Sequence, residues 1–230
     1  MVIPADVIVP LLEHAYAAKP GSDARVTNAL ELVKTWNRRS AEDSVAYTYI
    51  YYWGRAYQEL FSETKFSRFV HYGRRKIDLS SPEEQDAARC AFEAAVARIS
   101  KQFGKSEVRW GDINVVVRGG KFPMDGTGLY DVLHPDEGVE QKNGEMDCND
   151  GWGDLLIVVE GNPKEIWSLL PYGESEHPSS PHYNDMAKLH SQRGVKRFWF
   201  TPAEILAHTE SVWGDRNRIR ALHPETAGGQ

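Results

Sequence analysis

Apolar side chains recur at helical spacing through the first hundred residues. In segments 7–18 and 26–36 they lie three and four residues apart, so each segment predicts an amphipathic helix. Asp43-Ser44 opens a third helix, whose dense run of tyrosine and tryptophan indicates burial or contact with a partner chain. Ser81-Pro82-Glu83-Glu84 combines an N-cap, a proline at the first helical position and a glutamate three residues after the cap. That pattern predicts a long helix, which Gly104 ends.

Beyond residue 104 the pattern changes to short apolar runs between turns. Residues 113–117 predict one strand, and residues 155–159 and 166–172 flank the turn Gly161-Asn162-Pro163 and predict a β-hairpin. Residues 195–200 predict a further short strand. The fold class is therefore predicted to be α+β, with a helical first half and a strand-rich second half.

The other segments complete the predicted order of elements. Residues 65–78 show no clear period and residues 121–145 are rich in Gly, Asp and Pro, so both are interpreted as mostly irregular. Thr201-Pro202-Ala203-Glu204 repeats the capping box and predicts a last helix, and residues 221–230 are expected to form a frayed tail. Because there is no internal repeat or linker, residues 1–230 are interpreted as a single structural unit.

The composition, net charge and cysteine spacing of the chain argue against several classes of function. A hydrophobic fraction of 41% fits one globular core, and a net charge of -6 without a long Lys/Arg block argues against a nucleic-acid partner. No apolar run is long enough to cross a membrane, and the first residues carry neither the basic region nor the cleavage site of an export signal, so the compartment stays open. Cys90 and Cys148 lie outside any CxxC pattern, which argues against a zinc site. A single disulfide between these two cysteines stays an open alternative.

Polar, proton-handling side chains follow the second strand of the hairpin, where a scaffold often presents a site. They are Gly173, Ser175, His177, Ser180, His182, Tyr183 and Asp185. One interpretation is a triad of Ser175, His182 and Asp185, but a histidine stands where a nucleophile elbow needs glycine. Another is a divalent metal bound by His177, His182 and Asp185, although their spacing matches no recognised zinc pattern. We favour a third interpretation, in which these side chains hydrogen-bond within a buried loop.

The same stretch carries a family resemblance. Tyr172-Gly173-x-Ser175 followed by Ser180-Pro181-His182-Tyr183-x-Asp185 resembles the C-terminal signature of the penicillin acylase family of N-terminal nucleophile hydrolases, especially the branch that deacylates acyl-homoserine lactones, aculeacin and cephalosporins. Further blocks follow the family's order: Trp36-Asn37, Asp43-Ser44, Trp110-Gly111-Asp112, Arg118-Gly119 and Phe200-Thr201-Pro202-Ala203-Glu204. The similarity extends over nearly the whole chain and falls on the last part of the family's large, β-type subunit.

The resemblance implies a fold and an activity. The fold is the later portion of a four-layer αββα core, and the activity is hydrolysis of a linear amide in a small molecule such as a β-lactam, lipopeptide or acyl-homoserine lactone, without cofactor or metal. In the family, the nucleophile is a serine at the start of the β-type subunit, and nothing in this chain aligns with that serine or its oxyanion hole. We therefore expect an incomplete catalyst whose partners are upstream acylase segments, namely the α-type subunit and the N-terminal part of the β-type subunit. A non-catalytic remnant or binding module of the same fold is the alternative.

The resemblance also implies roles for single residues. Four of them are expected to support the strand end: Tyr172, Ser175, His182 and Asp185. Asp150 and Asp154 flank the position, Trp152 here, at which cephalosporin-type acylases carry a glutamate that orients the histidine near the nucleophile, so either aspartate could substitute. Arg118 is expected either to pair with Asp112 or to approach a substrate carboxylate or lactone, since a guanidinium matches such oxygens well.

Overall fold

The computed structural model describes residues 2–70, 77–130, 137–151 and 153–209. The chain divides into two compact units, with Met1–Leu155 and Leu169–Gly194 in unit 1 and Leu156–Ser168 and Val195–Gln230 in unit 2. Helices occupy most of the first hundred residues and short strands follow them, which confirms the predicted α+β class. Trp152 and the predicted tail at 221–230 lie outside the described residues.

The first part of unit 1 is helical, and two of its helices begin where the sequence predicts a cap. Its helices are α1 Ala5–Ala18, α2 Ala24–Lys34, α3 Val45–Phe61, α4 Glu63–Val70 and α5 Pro82–Phe103. The Ser44 side chain accepts from the Tyr47 amide and the Ser81 side chain from the Glu84 amide, while Gly104 ends α5 in the left-handed region at φ 66°. The interpretation of 65–78 as irregular is wrong for α4, because eight residues show too little of the helical period to be recognised.

The aromatic run of α3 is buried, as its density predicts. The side chains of Tyr47, Tyr52 and Trp53 are fully buried. The Trp53 indole donates to the Ala88 carbonyl at 3.0 Å, and the Tyr49 hydroxyl donates to a carbonyl at 2.5 Å. Because a buried donor without a partner destabilises the fold, these two bonds lower the cost of burying Trp53 and Tyr49.

Alkaline pH is expected to destabilise this aromatic core. Burial raises the pKa of Tyr49 and of Tyr57 from 10.0 to about 12. The folded chain therefore holds these phenolic protons more tightly than the unfolded chain, and their contribution to stability is complete below pH 10 and is lost as the pH rises towards 12. Denaturant unfolding at stepwise alkaline pH measures this, and Tyr57→Phe should make the decline shallower. A free energy of unfolding that stays constant across this range would contradict the expectation.

A four-stranded sheet follows the helices in unit 1. It is formed by β1 Asn114–Val117, β2 Lys121–Pro123, β3 Glu137–Glu140 and β4 Met146–Asp150, in the order β2-β1-β4-β3. β1 runs antiparallel to β2 and parallel to β4, and a 3₁₀ turn at Trp110–Asp112 leads into it. The interpretation of 121–145 as mostly loop missed β2 and β3, because strands of three and four residues are too short to show an alternation.

A second, smaller core lies between this sheet and α6, which spans Asp185–Ser191. Its members are Val116, Met124, Cys148 and Ala187, with Phe122 and Tyr172 packed against them. The Cys148 thiol is buried and donates to the Asn114 side-chain oxygen at 3.1 Å, whereas Cys90 is exposed on α5. Cys90 and Cys148 do not pair with each other, so the disulfide that the sequence left open does not form.

Unit 2 is built on a three-stranded sheet and a short helix. The sheet has the order β5-β6-β7, with β5 Leu155–Val159, β6 Glu165–Leu169 and β7 Lys196–Arg197. β5 and β6 are neighbours, as the hairpin prediction requires, although β6 ends earlier than predicted. The last helix, α7 Pro202–Ala207, begins with the predicted capping box between Thr201 and Glu204. Within the described ranges, no helix is long and apolar enough to span a membrane.

Candidate functional site

The polar stretch ahead of α6 folds back on itself in unit 1. We call residues 173–184 the polar loop. The Ser175 amide donates to the His182 carbonyl at 3.1 Å, and the Ser180 amide donates to the His177 carbonyl at 2.9 Å. The hydroxyl oxygens of the same two serines accept from the amides of His177 and His182, at 3.2 and 3.1 Å. The loop is therefore shaped by its own backbone and serine side chains. The expectation that it is buried is wrong, because residues 173–184 are all exposed or half-buried.

Arg118, in the turn after β1, fastens the polar loop to the four-stranded sheet. Its Nε donates to the Tyr183 carbonyl at 2.5 Å and its Nη2 to the Ser175 carbonyl at 2.9 Å. The guanidinium also lies 4.4 Å from the centre of the Tyr183 ring, and the Asn184 amide side chain donates back to the Arg118 carbonyl at 2.9 Å. Because charged donors make the stronger hydrogen bonds, this arrangement fixes the position of the loop.

The expected pair between Arg118 and Asp112 is wrong. Asp112 binds Arg109 at 2.8 Å and Lys105 at 3.6 Å instead. The 3₁₀ turn brings Asp112 next to the residue three positions before it, whereas Arg118 follows the strand and reaches the loop.

Two glycines, Gly173 and Gly119, allow the backbone to approach residues 182–184 of the polar loop closely. A Cβ on Gly173 would lie 2.3 Å from the Tyr183 carbonyl oxygen and 2.6 Å from that of His182, so the second position of the Tyr-Gly-x-Ser motif excludes any side chain. Gly119 adopts the left-handed region at φ 64°, and a Cβ there would lie 3.1 Å from the Asn184 side chain. The Arg118-Gly119 block and the Tyr-Gly-x-Ser motif thus meet at one packed contact.

His182 and Asp185 form an acid–base pair at the start of α6. Nδ1 of His182 lies 2.9 Å from Oδ2 of Asp185, and the imidazole side chain is 65% exposed. The other oxygen of Asp185 accepts from the Met186 amide at 2.9 Å. The carboxylate therefore fixes the orientation of an exposed imidazole, while the hydroxyl oxygen of Ser175 serves as an acceptor for the loop backbone.

The described residues do not support the metal interpretation. No group of three or more His, Cys, Asp or Glu side chains able to hold a metal ion occurs within 2–70, 77–130, 137–151 and 153–209. His177, His182 and Asp185 all lie in these ranges. The ligand set of the metal-dependent hydrolase is therefore not assembled.

The other predicted site residues lie at or near the ends of strands. Asp150 is the last residue of β4, is exposed, and accepts from the Gly151 amide at 2.8 Å. Asp154 is exposed immediately before β5. The Tyr172 side chain packs against the second core and its carbonyl accepts from the Ala187 amide at 2.8 Å. Tyr172 is thus attached to α6 through its carbonyl and packs beside the second core.

Sequence reasoning missed how Tyr183 and Asn184 hold Arg118. A partial signal existed, because Arg118-Gly119 and the loop motif both belong to the blocks of the family resemblance. The resemblance indicated the order of these two blocks along the chain, but it did not indicate that they are in contact.

Comparisons with known proteins bear on the same residues. The penicillin amidase family model matches residues 2–207. The acyl-homoserine lactone acylase PvdQ of Pseudomonas savastanoi pv. phaseolicola is 28% identical over 216 residues, which are 88% of this chain and 27% of the relative. The protein of the same name from Pseudomonas syringae pv. tomato is 30% identical over 138 residues, 57% of this chain and 17% of the relative.

A further acyl-homoserine lactone acylase PvdQ, from Pseudomonas fluorescens, is 25% identical over 197 residues, 81% of this chain and 25% of the relative. The chain therefore spans between 17% and 27% of the length of these curated relatives. Because the family model covers most of the residues, including the polar loop and the turn that carries Arg118, this chain belongs to the penicillin amidase family.

Proposed function

We propose that this protein takes part in hydrolysis of a linear acyl amide as the later portion of a penicillin amidase β-type subunit, and that it needs upstream segments to be active. Within the family, the acylase relatives favour an acyl-homoserine lactone over a β-lactam or lipopeptide as the substrate class. Residues 1–230 would act together as one part of the αββα core. The proposed partners are the upstream acylase segments, and the proposed substrate is a small molecule with a linear acyl amide bond.

The main support for this proposal is that the polar side chains and carbonyls of the loop are already used in hydrogen bonds that hold the loop in place. Hydrolysis of an amide needs a nucleophile, a base and donors for the developing oxyanion. Here the Ser175 hydroxyl oxygen accepts from a loop amide, and the Ser175 and Tyr183 carbonyls accept from Arg118. These groups are engaged in holding the loop, which supports a nucleophile supplied by a segment outside this chain.

Two aspartates and one arginine keep proposed roles in the completed enzyme. Asp150 or Asp154 would orient a histidine contributed by the upstream segments, since both carboxylates are exposed. Arg118 would act as a positioning residue, because two of its guanidinium nitrogens are bonded to loop carbonyls. A contact between Arg118 and a substrate carboxylate or lactone is the second hypothesis, which the Arg118 variants discussed below distinguish.

Ser175→Ala is expected to leave the activity of the completed enzyme within about tenfold of the wild type, because it removes one hydrogen bond worth about 1 kcal/mol. Loss of a true nucleophile would lower the rate by about a millionfold. The measurement is release of homoserine lactone from an N-acyl substrate by this chain together with its upstream segments. The chain alone is expected to show no turnover.

The alternatives give different results in the same assay. A millionfold loss on Ser175→Ala would restore the triad of Ser175, His182 and Asp185. Activity of the chain alone that a chelator abolishes would restore the metal-dependent hydrolase. A correctly assembled complex without acylase activity would identify a non-catalytic remnant or binding module.

A further inference from the structure

A cavity of about 410 Å³ lies in unit 1 between α5 and the connection from α1 to α2. Small-molecule ligands occupy cavities of roughly 300 to 1,000 Å³, so this one is large enough to hold a ligand. Val26 and Val96 supply apolar parts of its wall. Five charged side chains also line it: Lys19, Asp23, Arg25, Arg89 and Glu93.

Arg89 in the wall of this cavity has hydrogen-bond donors that the fold does not use. Its side chain is 14% exposed, its guanidinium lies 5.1 Å from the centre of the Tyr16 ring, and its Nη2 donates to the Glu93 carboxylate at 3.2 Å. Its Nε and Nη1 are buried and have no hydrogen-bond partner among the residues that the structure describes. Because a buried charged donor without an acceptor is strongly unfavourable, these two nitrogens point to a ligand that enters the cavity.

The charges around the cavity favour an anionic ligand. Asp23 is already paired with Arg25 at 2.6 Å and accepts from the Arg25 amide at 2.8 Å. Glu93 contacts Arg89 through Nη2 and leaves the other two guanidinium nitrogens unused. Lys19 adds an exposed cation, so the described wall has three cationic side chains against two carboxylates, a net charge of +1. The whole chain carries -6, so the cavity is a local exception to an acidic protein.

We propose that this cavity binds a small organic carboxylate, whose oxygens accept from Arg89 and whose apolar part lies along Val26 and Val96. Carboxylate oxygens are favourable acceptors for a guanidinium, and the long Arg89 side chain can rotate to turn its Nε and Nη1 towards them. Inorganic phosphate would use the charge of the wall but not its apolar part. The described wall includes no residue of the polar loop, so this site is independent of the proposed amide hydrolysis.

Titration calorimetry of the 230-residue chain with sodium hexanoate tests the site. Hexanoate should bind saturably at one site, and both the neutral hexanamide and inorganic phosphate should bind at least about tenfold more weakly. Arg89→Met should lower the affinity for hexanoate at least about tenfold, because it removes the charged donors. Arg109→Met is the matched control, since Arg109 is exposed, does not line the cavity and should leave the affinity unchanged.

Ala97→Phe tests the cavity without changing Arg89. Ala97 lines the cavity from an exposed position of α5, so the variant should fold while the added ring occupies the space of the ligand. The affinity for hexanoate should again fall at least about tenfold, since filling a packed space is unfavourable by about that factor. Circular dichroism and denaturant unfolding establish that each variant is folded.

Nuclear magnetic resonance gives a direct measurement at the proposed donor. The Nε–H resonance of Arg89 should shift when hexanoate is added and stay in place when hexanamide is added. Absence of saturable hexanoate binding would overturn the proposal and assign the cavity to ordered water. Equal affinity for hexanoate and either phosphate or hexanamide would also overturn it, as would an affinity within about threefold of the wild type in both the Arg89 and Ala97 variants.

Discussion

Gly173→Val is expected to lower the free energy of unfolding by about 3 kcal/mol and to release the polar loop. A Cβ at this position would lie 2.3 Å from the Tyr183 carbonyl oxygen and 2.6 Å from the His182 carbonyl oxygen. Both are backbone atoms, so no side chain can rotate away to make room. The two loop segments must separate, and this separation lengthens the bond between the Ser175 amide and the His182 carbonyl.

Gly153→Val is the control for this prediction. A Cβ on Gly153 would meet no atom within 4 Å, and its backbone is not in the left-handed region, so a side chain there should change stability little. The measurements are denaturant unfolding and hydrogen exchange at the amides of Ser175 and Tyr183. Equal stability of the Gly173 and Gly153 variants would show that the loop yields to the added side chain and that the close approach is not structurally required.

Local chemistry made the helices predictable. Ser44, Ser81 and Thr201 each cap the helix that follows them, and each cap depends on a bond between residues three apart in the sequence. Such short-range signals need no knowledge of the rest of the fold. The sequence did not predict α4, α6 or the strands β2, β3 and β4, because these elements are too short to display a period.

The sequence predicted the position of the polar loop, but it did not predict the hydrogen bonds from Arg118 that attach the loop to the sheet. The loop motif and the Arg118-Gly119 block are visible as blocks of the resemblance, yet the acceptors that bind Arg118 are main-chain carbonyls 57 and 65 positions away. Every residue has a carbonyl, so such a partner leaves no mark in the residue types. The prediction that Asp112 pairs with Arg118 rested only on their opposite charges. In the structure Asp112 pairs with Arg109, which lies three residues before it in the same turn.

The exposure of β5 shows a different limit of prediction. Its hairpin partner could be inferred from two apolar runs and a turn, because those signals lie within the chain itself. The exposure of its apolar side chains could not be predicted, because an unbroken apolar run is typical of a strand that is covered on both sides.

Arg118→Met is expected to lower the free energy of unfolding by about 3 kcal/mol and to reduce the turnover of the completed enzyme. The substitution removes donors at 2.5 and 2.9 Å from the Tyr183 and Ser175 carbonyls, and a hydrogen bond from a charged group contributes about 1.5 to 3 kcal/mol. Arg118→Lys keeps the charge but cannot bind two separated carbonyls as a planar fork does, so its loss should be intermediate. Arg109→Met, which removes an exposed partner of Asp112, is the matched control and should change stability little.

The pattern of these variants separates the two hypotheses for Arg118. A positioning residue acts through the loop, so faster amide exchange at Ser175 and Tyr183 should accompany a lower kcat, and the lysine variant should recover part of both. A substrate-binding residue would instead raise KM in the lysine variant while the loop exchanges as in the wild type. Because both guanidinium bonds end on loop carbonyls and the Tyr183 ring lies against the same group, the structure favours the first pattern.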